Sequence, residues 1–350
     1  MKYGKVSCLL CILLSVLAAL SGCGTEVTND PKGKSYFSYF DTVSYIYSYA
    51  GDSAERFDRL SAEASAILGE YHRLFDIYHE YAGINNLCTL NKNAGGEAVP
   101  VDARLIGFLK YTKELYGLTN GETNVMLGSV LSLWHDCREA ALSDPASAHI
   151  PDEASLAEAA LHTDISLLEI DEANLTVRIA DPDARIDVGA VGKGYAAQMA
   201  ANRLCELGAE SYVLNVGGNI RIIGTRPDGS GWVTGIKDPQ APDESFALTL
   251  GISDISCVTS GDYERYFTAD GKRYHHIIDK DTLYPAEYCS SVTVLTKNSA
   301  VADALSTALF CMSPDEGREL LSGLDGVDAI WILPDGSIEY TPGAEEMTVN

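Results

Sequence analysis

Apolar residues recur along most of this chain at one of two spacings, and the spacing assigns the elements. Residues 36–49 alternate and are rich in Tyr, Val and Ile, which predicts a strand. Residues 52–75 place apolar side chains at helical spacing, with Asp52 or Ser53 as N-cap, and 102–116 form a second amphipathic helix opened by Asp102. Between them, 85–96 carry turn chemistry. Residues 117–133 begin as a loop and end in an apolar stretch closed by Trp134, and 143–149 read as a polar linker. A helix from Pro151 and Asp152 to about Leu161 follows, then a hairpin of 168–170 and 176–179.

The stretch 186–197, IDVGAVGKGYAA, predicts a strand end, a glycine turn and the start of an Ala-rich helix running to 207. Beyond it, 211–218, 219–223, 232–237, 246–250, 257–259, 273–279 and 291–296 read as strands. Residues 299–312 and 315–324 read as helices, and 327–333 with 337–340 make a closing hairpin about Pro334, Asp335 and Gly336. Helices and strands mix without strict βαβ alternation, so the expected class is α+β with mixed and antiparallel sheets and packed helices. No internal repeat at fixed period appears.

Composition bounds the function. With 46% hydrophobic residues, the 350-residue chain supports a sizeable core. Lys and Arg total 25 against 50 Asp and Glu, a net charge of −25 that argues against nucleic acid as a partner. A polyanionic ligand then needs local help from a metal ion or helix N-termini. Lys2 and Lys5 precede an apolar run, 6–20, too short for a comfortable membrane span, and Leu-Ser-Gly-Cys at 20–23 resembles a bacterial lipobox. The expected organisation is a signal peptide at 1–23 with Cys23 as the lipidated residue, a flexible tether at 24–35, and one folded domain at 36–345. The protein is then exported and lipid-anchored on the outer face of the bacterial cell membrane, the periplasmic side if there is an outer membrane. Of nine Cys, the six outside the export segment show no CxxC spacing and no evident pairing.

Candidate chemistry lies in a few places. The glycine turn at 189–194 lets backbone approach a phosphate at a helix N-terminus, with Lys193 inside it, although it is neither GxxxxGK[ST] nor GxGxxG; a plain tight turn fits as well. Asp303 and Thr307 stand four apart on one helix face and can offer oxygens to a hard cation such as Mg²⁺. The same pattern fits Thr307 bonding back to its helix with Asp303 capping the first turn. His275 and His276 precede Asp279, and one His can act as a base. Ser260 to Tyr263 is a turn able to hold a ligand.

Six segments in order, FDTV at 40–43, IDVGAVGKGYA at 186–196, LNVGGNI at 214–220, TSGDYERYF at 259–267, YHHIID at 274–279 and SVTVLTKNSAVADALSTALF at 291–310, resemble the ApbE lipoprotein family, the FAD:protein FMN transferases. The resemblance implies a flavin-transferase, T-fold-related architecture and Mg²⁺ held by Asp303, Thr307 and the Ala190 backbone oxygen. It places FAD contacts on Phe40, Tyr81, Glu122, Thr123, Asn124, Asp187, Lys193 and Ile277, near His276. His276, with Asp279 second, is the expected base. The implied activity is Mg²⁺-dependent transfer of FMN from FAD to a Thr or Ser hydroxyl of a partner, releasing AMP. The implied partners are flavin-accepting subunits of membrane redox complexes of the sodium-translocating NADH:quinone reductase or Rnf type. Alternatives are a Mg²⁺-dependent FAD pyrophosphatase and a non-catalytic FAD-binding lipoprotein. The chain departs from the family at Thr123-Asn124, commonly Phe-Asp, at Phe40-Asp41-Thr42, commonly Met-Gly-Thr, and at 279–283, where Asp-Lys-Asp-Thr-Leu replaces Asp-Pro-x-Thr-Gly.

Overall fold

The structure, a computed structural model, describes residues 32–241 and 245–349. The export segment with Cys23, and the tether up to residue 31, lie outside the described residues. The chain runs β1 (Lys32–Tyr39), β2 (Thr42–Ser48), α1 (Ala54–Phe75), α2 (Leu87–Lys92), β3 (Val99–Pro100), α3 (Ala103–Leu118), α4 (Gly128–Ser143) and α5 (Glu153–Ala160). It continues with β4 (Leu168–Asp171), β5 (Thr176–Ile179), α6 (Gly192–Glu206), β6 (Tyr212–Val216), β7 (Asn219–Ile223), β8 (Trp232–Lys237), β9 (Phe246–Ile252) and β10 (Ser256–Gly261). Then come β11 (Tyr266–Ala269), β12 (Lys272–His275), β13 (Ser291–Thr296), α7 (Ser299–Phe310), α8 (Pro314–Leu321), β14 (Val327–Ile332), β15 (Ile338–Tyr340), α9 (Pro342–Glu346) and β16 (Thr348–Val349).

The fold is α+β, built on an eight-stranded sheet in the order β1-β2-β6-β7-β10-β13-β14-β15. Its β13 is buried at every position, because both sheet faces are covered. Val292 and Val294 face α7 in a core with Leu305, Leu309 and Trp331. Leu295, with Ile330 and Ile332 of β14, packs on the other side against Trp232, Leu250 and Ile252 of the small β8-β9-β16 sheet. The largest cluster joins α1, α3 and α6 to β2 and β6. Helix α6 packs between α1 and α7, which sets the glycine turn at its N-terminus against α7.

Several expected elements change. Residues 36–49 are not one strand. Phe40 and Asp41 both have positive φ (55° and 50°) and fold the alternating run into the β1–β2 hairpin, whose first arm takes Lys32 to Ser35 out of the expected tether. Within 85–96 a short helix, α2, forms because Asn86 and Thr89 close a capping box. The expected strand at 186–188 is extended chain outside any sheet ladder. There the Asn91 side chain replaces a neighbouring strand, donating to the Ile186 carbonyl (2.9 Å) and accepting from its N–H (2.7 Å). The strand at 273–279 stops at His275, so the expected alternation of faces through Asp279 does not hold. The apolar stretch ending at Trp134 belongs to α4, which runs to Ser143; β3, β11, α9 and β16 had no reading in the sequence.

Gly194 is the residue that lets α6 meet α7. A Cβ there would lie 2.3 Å from the Ser299 carbonyl oxygen and 2.5 Å from Asp303 Cβ. Gly194→Ala is expected to force the helices apart at a cost of about 1–3 kcal/mol. A thermal melt reads that loss, and an unchanged melting temperature would show that the contact yields freely.

Candidate active site

Asp303 sits in the second turn of α7, 3% exposed. Its Oδ2 accepts the Gly194 N–H at 2.8 Å, and Lys193 Nζ stands 3.9 Å from Oδ1. The Asn219 side-chain amide, turned with its nitrogen toward the carboxylate, donates to Oδ1 at 3.0 Å and Oδ2 at 3.3 Å. Asn219 is carried there by the β6–β7 hairpin, whose two-residue turn of Gly217 and Gly218 has positive φ at both positions. Loss of water pushes the Asp303 carboxyl above the usual carboxylate range, against the pull of Lys193, the Gly194 amide and Asn219. One turn on, Thr307 is half-buried, its hydroxyl 3.5 Å from Ser260 Oγ, which also bonds Ser306 at 2.8 Å. A buried carboxylate facing one distant ammonium, with a hydroxyl one turn away, is an oxygen donor set suited to Mg²⁺. Ala190, half-buried, lies in the same turn as Lys193 and Gly194.

A second group lies beside it. Asp187 is half-buried and His276 exposed, and desolvation is the largest influence on both. Desolvation raises the Asp187 carboxyl, opposed by the Gly189 N–H (2.8 Å), then by His135, Arg265 and Lys193. Desolvation, then Arg265 and Lys193, holds the His276 imidazole below its usual value, so the ring is neutral near pH 7. His276 Nδ1 lies 3.2 Å from the Arg265 carbonyl. A carbonyl only accepts, so Nδ1 carries the proton and Nε2 is the basic atom.

The other expected residues divide. Phe40 and Tyr81 come together around His72: the Phe40 N–H donates to His72 Nδ1 (3.3 Å), its ring meets the imidazole edge-on, and Tyr81 Oη lies 3.4 Å from Nε2. Tyr81 also donates to Asp76 (2.8 Å); desolvation first and this carboxylate second raise its pKa to about 12. Glu122 pairs with Lys280 (3.1 Å), and burial raises its carboxyl. Thr123 is buried, its hydroxyl donating to the Ala304 carbonyl (2.7 Å), so it braces the loop on α7. Asn124 donates to the Thr163 carbonyl and accepts from the Met126 N–H, a structural pairing. Ile277 points into the core, and its backbone is engaged within the protein: the N–H donates to His275 Nδ1 (3.2 Å) and the carbonyl accepts the Ala286 N–H (3.1 Å). Asp279 accepts the Asp281 and Thr282 amides (2.7 and 3.3 Å) and shapes the turn after His276.

Asn219, Arg265, and the tilted Tyr78–His135 ring pair (centroids 5.1 Å apart) were not assigned from sequence. Arg265 stands in the TSGDYERYF segment, and a basic residue there in so acidic a chain was the available signal. Among the described residues, His162, Asp181 and Asp183 also place ligand atoms within 4.8 Å of one another, away from this site, but His162 and Asp181 already form an ion pair at 2.8 Å.

A profile of the ApbE family matches residues 40–331. The FAD:protein FMN transferase of Treponema pallidum is 32% identical over 303 residues, covering 81% of this chain and 82% of that protein. The FAD:protein FMN transferase of Vibrio cholerae is 31% identical over 261 residues, 73% of this chain and 76% of that one. Among solved structures, the ApbE protein of Thermotoga maritima superposes with a TM-score of 0.79 at 27% identity, covering 92% of this chain and all of that one (100%).

Proposed function

The chain belongs to the ApbE family and is an FAD:protein FMN transferase, and from that premise we propose that it moves FMN onto a Thr or Ser hydroxyl of a partner protein, releasing AMP. The observation that carries this reading is the buried Asp303 clasped by the glycine turn, with Thr307 one turn away on the same helix face. Asp303, Thr307 and the Ala190 carbonyl would hold Mg²⁺, which when bound would neutralise charge on the two linked phosphates.

The chain's own residues do the remaining work. Lys193 and Arg265 attract the dinucleotide's phosphates into a protein whose net charge of −25 would otherwise repel them. His276 Nε2 takes the proton of the acceptor hydroxyl. The acceptor oxygen then bonds the FMN phosphorus, the P–O bond to AMP breaks, and its electron pair leaves on the AMP phosphate. Phe40, Tyr81 and the Tyr78–His135 pair offer aromatic surface for the flavin. The neutral state of His276 supports this role, because an imidazolium cannot accept a proton. The acceptors fitting this chemistry are flavin-accepting subunits of Rnf-type or sodium-translocating NADH:quinone reductase complexes. Export and lipid anchoring at Cys23 would bring the enzyme to them at the membrane surface.

Incubation with FAD, Mg²⁺ and an acceptor domain is expected to give a fluorescent adduct that survives denaturation, at an added mass of one FMN. An acceptor that a related transferase flavinylates, but that stays unmodified here, would overturn the transferase reading. Because the His276 ring is open to solvent, a second reading follows: water replaces the hydroxyl and FAD is slowly hydrolysed to FMN and AMP. Chromatography of an acceptor-free reaction decides it.

A further inference from the structure

Behind the site the fold leaves a groove of about 730 Å³ that the mechanism above does not use as a whole. One wall is the loop after α3 with Glu122, and another is the turn holding Asp279 and Asp281. The third is α8 with Glu316 and Glu319. Leu118, Met312, Leu320 and Leu324 supply apolar surface, and no Lys or Arg is among the lining residues. Lys280, between the two turn acids in sequence, is occupied by Glu122 (3.1 Å) and Asp281 (2.7 Å).

The groove connects to the chemistry through α7. Asp303 and Thr307 share one face of α7, and Cys311, the residue that caps its C-terminal end four positions further on, lines the groove. At 1.5 Å per residue, Thr307 lies only about 6 Å along the helix axis from that rung. From the other side, His276 precedes the groove residue Asp279 by three positions, a reach of at most about 10 Å. A segment resting here would thus have its neighbouring residues within reach of His276.

We infer that this groove docks a cationic, partly apolar segment of the protein that receives the flavin, an inference that rests on the transferase reading. Five carboxylates, two of them sharing Lys280, leave a net negative surface around apolar side chains that complements Lys or Arg interleaved with aliphatic residues, and such complementarity speeds encounter and fixes register.

The test uses Glu319→Lys combined with Asp281→Lys, two exposed positions outside the catalytic machinery. The control is Glu158→Lys combined with Glu210→Lys, the same change of net charge on other exposed positions. A labelled synthetic peptide alternating Lys and Leu around one Thr is titrated by fluorescence anisotropy. The wild type and the control are expected to bind alike, and the groove variant about tenfold more weakly or worse, with the difference shrinking in high salt. In flavin transfer to the extracytoplasmic domain of an Rnf-type subunit, KM for the acceptor should rise by a similar factor while FAD affinity stays unchanged. Equal peptide binding by the two variants overturns the groove. Weakened peptide binding with an unchanged acceptor KM overturns the assignment to the acceptor. If the wild type transfers no flavin at all, the transferase reading fails, and the anisotropy still decides whether the groove takes a cation.

Discussion

Asp303→Asn abolishes metal-dependent flavin transfer, with a loss of about 10³-fold or more, because the substitution keeps the shape and removes the buried negative charge that would hold the cation. The carboxylate is fully buried and its charged form is disfavoured by loss of water, with only Lys193 at 3.9 Å, the Gly194 amide and Asn219 to offset it. A cation there removes that penalty. Mg²⁺ should therefore raise the melting temperature of the wild type and leave that of Asp303→Asn unmoved. The pH dependence has a definite sign. The folded carboxyl holds its proton more tightly than the unfolded one, so without metal its contribution to stability is greatest below the unfolded value and is lost as pH rises. The asparagine variant lacks that loss, so in EDTA it should keep more of its acid-pH stability at neutral pH than the wild type does. Transfer by Asp303→Asn at the wild-type rate, or transfer by the wild type in EDTA, would sink the metal assignment.

His276→Gln is expected to lower transfer by about 10²–10⁴-fold, the usual worth of a positioned base, while FAD binding stays within a few-fold. The ring is exposed, so its removal leaves no cavity, and the affinity readout separates lost chemistry from lost structure. The wild-type rate should stay flat from neutral pH down past the ordinary histidine value. Arg265, Lys193 and the surrounding protein oppose the imidazolium, so the acid limb begins lower. An acid limb at or above the ordinary histidine value, with no rate loss in His276→Gln, would assign the base elsewhere.

Long periodic segments were legible because one element suffices to show them. The helix read at 52–75 is α1 with Ser53 as cap, and the one opened by Asp102 is α3. The hairpin at 168–179 and β13 also stand where their patterns place them. What failed depended on a partner elsewhere. Residues 186–188 alternate like a strand, yet the Asn91 side chain, 95 residues away, takes the place of a neighbouring strand. The run at 36–49 carries one alternation through two arms, and the fold at Phe40 and Asp41 becomes visible only when β2 finds β6.

The site divides the same way. The four-residue step from Asp303 to Thr307 is a property of one helix, so the sequence by itself determined that these oxygens share a face, just as composition determined that a polyanionic ligand needs local help from a metal ion or helix N-termini. Only the tertiary structure decided what surrounds that pair. Gly194 reaches Asp303 across 109 residues of chain, and the β6–β7 turn brings Asn219 to the same carboxylate. Desolvation, which tunes Asp303, Asp187 and His276, depends on how many elements close around a group. No local spacing encodes that, because it is set by the packing of α6 on α7 and of both on the sheet.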